Sequence, residues 1–334
     1  MKKYQPETNA IRIQAEQSSF QEHAVPLYLS SSFTFGDAEE MRATFADEQA
    51  GYVYSRYANP NTEELIQKMC VLEGADDGIA TASGMAAVFE SLAGLLSAGD
   101  HIVASRAVFG STHQILTQIL TRWGIKHTYV SGTNIEEWAS ALTPATKIFL
   151  CETPSNPGLD IIDINKLSVL SKAHNIILNI DNCFATPYIQ QPIPLGADLV
   201  THSATKYIDG QGRVLGGLVL GRQDLIDKIR FFHRHTGPSM SAFNAWILSK
   251  SLETLSIRMD KHCSNAMEVA NFLGKSNRVK SVIYPHLPSH PQYDIARKQM
   301  KMGGGIVSFE LEGGISAGKK FLDAVRMFSL TANL

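Results

Sequence analysis

The chain has only four cysteines in its 334 residues, Cys70, Cys151, Cys183 and Cys263, and none stand in CxxC spacing. That argues against a cysteine-built zinc site or a disulfide framework and fits a reducing compartment. No apolar run is long enough to span a bilayer, and the opening MKKYQPETNA lacks the apolar stretch of a signal peptide, so a cytoplasmic location is the default expectation. Neither sign of charge dominates. With a net charge of −2 and no block of lysine and arginine, nothing marks a nucleic-acid or membrane-surface partner. Neither GxxxxGK[ST] nor GxGxxG occurs, so a nucleotide is not indicated. Low-complexity segments and internal repeats are also missing.

What is present is an ordinary globular composition, in a chain long enough for a large core and two domains. Residues 1–60 show little periodicity and read as an extended arm. From residue 61 short apolar runs alternate with helical ones. Strands are expected at Gly78–Thr81, His101–Ser105, His127–Val130, Lys147–Glu152, Ile176–Ile180, Leu199–Thr201 and Leu218–Leu220. Helices are expected at Thr62–Glu73, Met85–Leu96, Thr112–Trp123, Asn165–His174 and Gln223–His233. That alternation predicts an α/β fold, a mostly parallel sheet covered by helices on both faces, with ligands bound at the carboxyl ends of its strands. Beyond residue 240 the rhythm fades. One long linking helix, Met240–Met259, is expected to lead into a smaller α+β part with helices Cys263–Phe272 and Ala317–Phe328 and strands near Val279–Tyr284 and Ile306–Leu311. The division is therefore 1–60, 61–240 and 241–334.

The chemistry-bearing stretch is DLVTHSATKYIDGQGRVLGG, residues 198–217. An apolar strand empties into a polar turn, and Lys206 follows the hydroxyls of Ser203 and Thr205. A lysine held at the mouth of a sheet and partly desolvated is a nucleophile towards a carbonyl, and the hydroxyls suit a phosphate. Together they suggest a pyridoxal phosphate (PLP) Schiff base; the alternative is a surface lysine after a strand. Asp181 ends the apolar strand NIILNID, where a buried carboxylate needs a cationic partner. A protonated pyridine nitrogen is one; backbone N–H groups are the alternative. The turn Thr81-Ala82-Ser83-Gly84-Met85 leaves N–H groups at a helix start ready for an anion, though such turns are common.

Other candidates are weaker singly. Phe109 sits past a strand end, where its ring can stack on a planar ligand or simply pack in the core. Asn156, between Pro154 and Pro157, can present an amide or serve as a turn residue. Tyr54 and Arg56 place a phenol and a guanidinium together, suited to phosphate, but the stretch alone reads as a packed loop. His233 and His235 face opposite sides of a helix and read as structural, so no metal is expected.

Taken together, YVYSRYANPN (52–61), TASGMAA (81–87), ETPSNP (152–157), DNCFATP (181–187) and HSATKYIDG (202–210) resemble the cystathionine γ-synthase, or Cys/Met metabolism, family of PLP enzymes, over essentially the whole chain. The resemblance implies fold type I of the PLP-dependent transferases. It implies Lys206 as the Schiff-base lysine and proton shuttle and Asp181 on the pyridine nitrogen. Gly84, Met85, Ser203 and Thr205 would bind the phosphate, joined by Tyr54 and Arg56 from a neighbouring subunit, and Asn156 would lie near the cofactor's phenolic oxygen. A homodimer or homotetramer with shared sites follows. Phe109 stands where many members carry tyrosine, so it would stack but exchange no proton. The implied reaction is γ-replacement on O-succinyl- or O-acetylhomoserine with sulfide, giving homocysteine in methionine biosynthesis. Cystathionine γ-synthase or γ-lyase chemistry, or a non-catalytic PLP-binding chain, are the alternatives. The chain ends at FSLTANL, which looks like the opening of a further family motif, and the arginine that binds the substrate α-carboxylate is expected to be missing.

Overall fold

A computed structural model describes residues 4–333. Its main sheet has seven strands: β1 (Asp77–Thr81), β2 (His101–Ser105), β3 (Lys126–Val130), β4 (Thr146–Glu152), β5 (Ile177–Asp181), β6 (Leu199–Ser203) and β7 (Gly217–Gly221). Their order across the sheet is β1-β7-β6-β5-β4-β2-β3. The pairs β2/β3, β2/β4, β4/β5 and β5/β6 are parallel, while β7 is antiparallel to both β6 and β1. The sheet is thus mostly parallel, as expected, with one reversed strand. The reversal follows from the connection, because the stretch from β6 to β7 carries no helix to return the chain to the starting edge. The carboxyl ends of β1, β2, β4, β5 and β6 consequently share one edge.

The helices are α1 (Pro6–Arg12), α2 (Ala38–Phe45), α3 (Pro60–Glu73), α4 (Gly84–Ala93), α5 (Gly110–Gln114), α6 (Ile135–Ser140), α7 (Ile164–Ala173), α8 (Thr186–Ile189), α9 (Gln223–Thr236), α10 (Ala242–Leu252), α11 (Leu255–Leu273), α12 (Tyr293–Gln299) and α13 (Gly314–Ala324). Alternate strand residues serve two cores. Ala80, Leu218 and Leu220 pack with Leu65, Met69, Leu248 and Met259 on one face. Ile79, Leu199 and Val219 pack with Ala87, Leu225 and Ile229 on the other. A covered parallel sheet requires this two-sided burial, and it accounts for strands that read as continuous apolar runs. A separate antiparallel pair, β8 (Val279–Ile283) with β9 (Ser308–Leu311), lies in the C-terminal part. Among the described residues no helix is long and apolar enough to cross a membrane.

Three expectations change. The arm 1–60 is irregular over most of its length but forms α1, started by Pro6, and α2, capped by Asp37, whose side chain accepts the Glu40 N–H. The linking helix breaks at Glu253 and Thr254, and its second half continues unbroken through Leu273. Hydroxyls compete for the backbone there: Ser251 donates to the Ile247 carbonyl at 2.7 Å and Thr254 to the Ser251 carbonyl at 3.3 Å. The bend lets Leu252 and Leu255 bury in the same cluster. The Thr112–Trp123 helix is α5 followed by a π turn (Ile115–Ile119) and a 3₁₀ turn (Leu120–Trp123). Thr117 and Thr121 each donate to the carbonyl four residues back, at 2.8 Å, along this widened stretch.

Candidate functional site

The shared carboxyl edge of the sheet opens on a cavity of about 430 Å³. Gly84, Phe109, Asp181, Ser203 and Lys206 lie along its wall. Each arrives by the same local logic, an apolar strand that ends where the chain must turn.

At the end of β1, Ser83 caps α4 by accepting the Ala86 N–H at 3.2 Å. The N–H groups of Gly84 and Met85, in the first turn, have no partner within the helix and point towards its open end. Glycine is required at position 84 by close approach: a Cβ there would lie 2.4 Å from the Ser203 Cβ. The Met85 side chain packs on the core formed by Val88, Leu92 and Ile102. At the end of β6, the Lys206 N–H turns back to the Ser203 carbonyl at 3.2 Å, and the Thr205 hydroxyl accepts the Gly216 N–H at 3.1 Å. This tight turn presents Ser203, Thr205 and Lys206 to the cavity together. Lys206 Nζ donates to Asn333 Oδ1 at 2.6 Å.

Asp181 ends β5, and its Oδ1 accepts the Cys183 N–H at 3.0 Å. Burial raises its pKa, opposed by that N–H and by nearby His202. No ion pair to Asp181 forms among the described residues. Beside it in register on β4 stands Glu152, whose Oε2 accepts the Phe109 N–H at 2.9 Å. Burial, then the Asp181 charge, pushes the Glu152 carboxyl well above the usual carboxylate range. Behind Asp181 lies a buried polar layer. His202 Nε2 is 2.6 Å from Glu73 Oε1, and the Asn182 amide donates to the same oxygen at 2.9 Å. The Gln190 amide then donates to the Thr153 carbonyl at 2.8 Å, tying this layer to the turn that carries Asn156.

Of the residues singled out in the sequence, Gly84, Met85, Phe109, Asn156, Asp181, Ser203, Thr205 and Lys206 all line this cavity. Tyr54 and Arg56 do not. Arg56 donates to the Arg234 carbonyl and lies over the rings of Tyr54 and Tyr57, with its carbon 5.3 and 4.9 Å from their centroids. Its neighbours there include Arg230, His233 and Ser239. His233 pairs with Glu90 at 3.0 Å and is buried, while His235 meets the Phe231 ring edge to face, so both histidines have structural contacts. Glu152 and Asn333 were missed. A carboxylate at a strand end reads as a turn acid, and the only available signal for Glu152 was its alignment with Asp181. The Asn333 contact spans the chain and left no local signal.

The family model "Cys/Met metabolism PLP-dependent enzyme" matches residues 7–334. An O-succinylhomoserine sulfhydrylase of Pseudomonas aeruginosa is 44% identical over 98% of this chain and 81% of its own length. An L-methionine gamma-lyase of Fusobacterium nucleatum is 42% identical over 100% of this chain and 85% of its own. Among solved structures, a putative O-acetylhomoserine (thiol)-lyase of Campylobacter jejuni superposes with a TM-score of 0.95 at 30% identity, covering 99% of this chain and 91% of that one. That structure contains N'-pyridoxyl-lysine-5'-monophosphate.

Proposed function

The chain belongs to the Cys/Met metabolism family of PLP-dependent enzymes, and from that premise we propose that it replaces the γ-substituent of O-succinylhomoserine with sulfide, giving homocysteine. The observation that carries the site assignment is the convergence of Lys206, Asp181 and the Gly84 helix start on one cavity. The residues fit the cofactor on two counts. Gly84 lacks the Cβ that would close the gap to Ser203, so the α4 N–H groups stay accessible to a phosphate. Asp181 is a half-buried carboxylate, desolvated enough to raise its pKa, with no ion-pair partner among the described residues, a role that a protonated pyridine nitrogen would fill.

In this reading Gly84, Met85, Ser203 and Thr205 hold the phosphate, and Phe109 covers the ring. Asn156 orients the phenolic oxygen. PLP, when bound, draws electrons from the substrate α-carbon and so eases removal of its proton. Lys206 Nζ takes that proton and returns one at the neighbouring carbon, acting in turn as general base and general acid. Asn333 holds the lysine amine at the cavity while it waits. Phe109 has no hydroxyl, so proton transfer falls to Lys206. Succinate leaves Cγ and sulfide takes its place.

Residues 1–60 serve as an arm, 61–240 as the cofactor-binding domain and 241–334 as the linking helices and C-terminal domain. Tyr54 and Arg56, which lie outside the cavity of their own chain, complete the phosphate site of a second copy in a homodimer or homotetramer. The L-methionine gamma-lyase relatives support a second reading, in which γ-elimination replaces substitution. A competition assay separates these. The purified chain with PLP and O-succinylhomoserine is offered sulfide and cysteine together, and homocysteine, cystathionine and 2-oxobutanoate are quantified. Homocysteine as the main product is expected. Predominant cystathionine assigns the cystathionine γ-synthase reaction instead, and predominant 2-oxobutanoate the lyase.

A further inference from the structure

We propose that Glu152 is a positioning residue, which anchors the Phe109 segment against the cavity wall beside Asp181 and so fixes the ring where a planar cofactor stacks. The inference rests on the reading of this cavity as the PLP site.

The geometry is specific. Glu152 is the last residue of β4 and is only 4% exposed, yet it lines the cavity. Phe109 lies beyond the end of β2, the strand beside β4, and the residue is 46% exposed. A ring with so little packing around it has little of its own to fix its place. Its backbone is held at two points: its carbonyl accepts the His113 N–H at 3.0 Å within the start of α5, and its N–H donates to Glu152 Oε2 at 2.9 Å, the bond that reaches the neighbouring strand. This side chain therefore ties the segment that carries the candidate stacking ring to the end of β4.

The carboxyl must do this beside another acid. Glu152 and Asp181 are paired in register on adjacent parallel strands, so their side chains leave the same face. Two neighbouring buried carboxylates do not both ionise readily. Each carboxyl accepts a backbone N–H, but Asp181 alone has His202 nearby to favour its charge, while burial and the Asp181 charge both act against ionisation of Glu152, so Glu152 is the one that keeps the proton. The other titratable groups around the pair are Cys183, from the turn after β5, and Lys206, from the turn after β6. Cys151, on Glu152's own strand, packs into the core on the opposite face. A neutral Glu152 still accepts the Phe109 N–H through its carbonyl oxygen, and it leaves Asp181 as the single negative charge for a pyridine nitrogen.

A glutamate buried only to satisfy its own turn would make no such link, and a double-mutant cycle separates the two cases. PLP affinity is measured by quenching of tryptophan fluorescence in wild type, Glu152→Gln, Glu152→Ala, Phe109→Ala and the Glu152→Ala/Phe109→Ala pair. Circular dichroism of the bound cofactor reports how the ring is held. Glu152→Gln, which keeps the acceptor, is expected within about threefold of wild type, with an unchanged dichroic band. Glu152→Ala is expected to weaken PLP about tenfold, the scale of one lost hydrogen bond, and to alter the band. The double variant is expected to bind no more weakly than the worse single one.

Wild-type affinity in Glu152→Ala, multiplying losses in the double variant, or a Glu152→Gln as impaired as the alanine would each overturn the inference. If Glu152→Ala shows no cooperative unfolding, Glu152→Asp takes its place, since it retains the acid but falls short of the Phe109 N–H. A wild-type chain that fails to bind PLP overturns the site reading itself, whereas wild-type binding with an indifferent Glu152→Ala overturns only this inference.

Discussion

Gly84 and Ser203 approach so closely that the missing Cβ of the first would lie 2.4 Å from the Cβ and 2.7 Å from the Cα of the second. The two residues open α4 and close β6, so the gap between them sets the width of the proposed phosphate cradle.

Gly84→Ala therefore cannot be accommodated by a rotamer change, because backbone and Cβ atoms form the obstacle. A destabilisation of about 1–3 kcal/mol is expected from the overpacking. Chemical denaturation of the apo chain measures it. PLP affinity is expected to fall further than stability alone explains, since α4 and the Ser203 turn are pushed apart. A variant with wild-type PLP affinity would show that the cradle lies elsewhere.

Much of this site was legible in the sequence because each candidate follows an apolar strand. Asp181 and Lys206 stand out as polar residues at the ends of runs that must be buried, and Gly84 opens a helix immediately after another such run. Other features depend on neighbours that only folding supplies. Glu152 acquires meaning from its register with Asp181 on a separate strand. Asn333 acquires it from a contact across the chain. The reversed direction of β7 hangs on the absence of a helix in residues 204–216, which strand patterns alone do not record. The break between α10 and α11 was hidden because the apolar period continues through Leu252 and Leu255.

Lys68 is fully buried and paired with Glu64 at 2.8 Å, and it also donates to the Ser249 hydroxyl at 2.9 Å. This cluster joins α3 to α10, away from the cavity. Lys68→Met strands the Glu64 carboxylate in the core and is expected to cost about 3–5 kcal/mol. Glu64→Leu/Lys68→Met removes both charges and is expected to regain most of that loss. The shift in urea midpoint at constant m-value measures both.

The raised carboxyl of Glu152 gives the apo chain a pH signature. Its folded pKa lies above the ordinary value of 4.5, so the folded state holds a proton that the unfolded state has released. The native state binds more protons across that window, and stability falls as pH rises through it, levelling off above the folded pKa. Glu152→Gln is expected to flatten this slope. Urea midpoints of both apo chains between pH 5 and pH 9 check it, and parallel profiles would count against the assignment.

The most direct measurement of the central claim is reduction of the PLP-loaded chain with sodium borohydride, followed by peptide mass mapping. The account predicts a single phosphopyridoxyl group on Lys206, absent from Lys206→Ala. A label on any other lysine, or none at all on a chain that retains its fold, would contradict it.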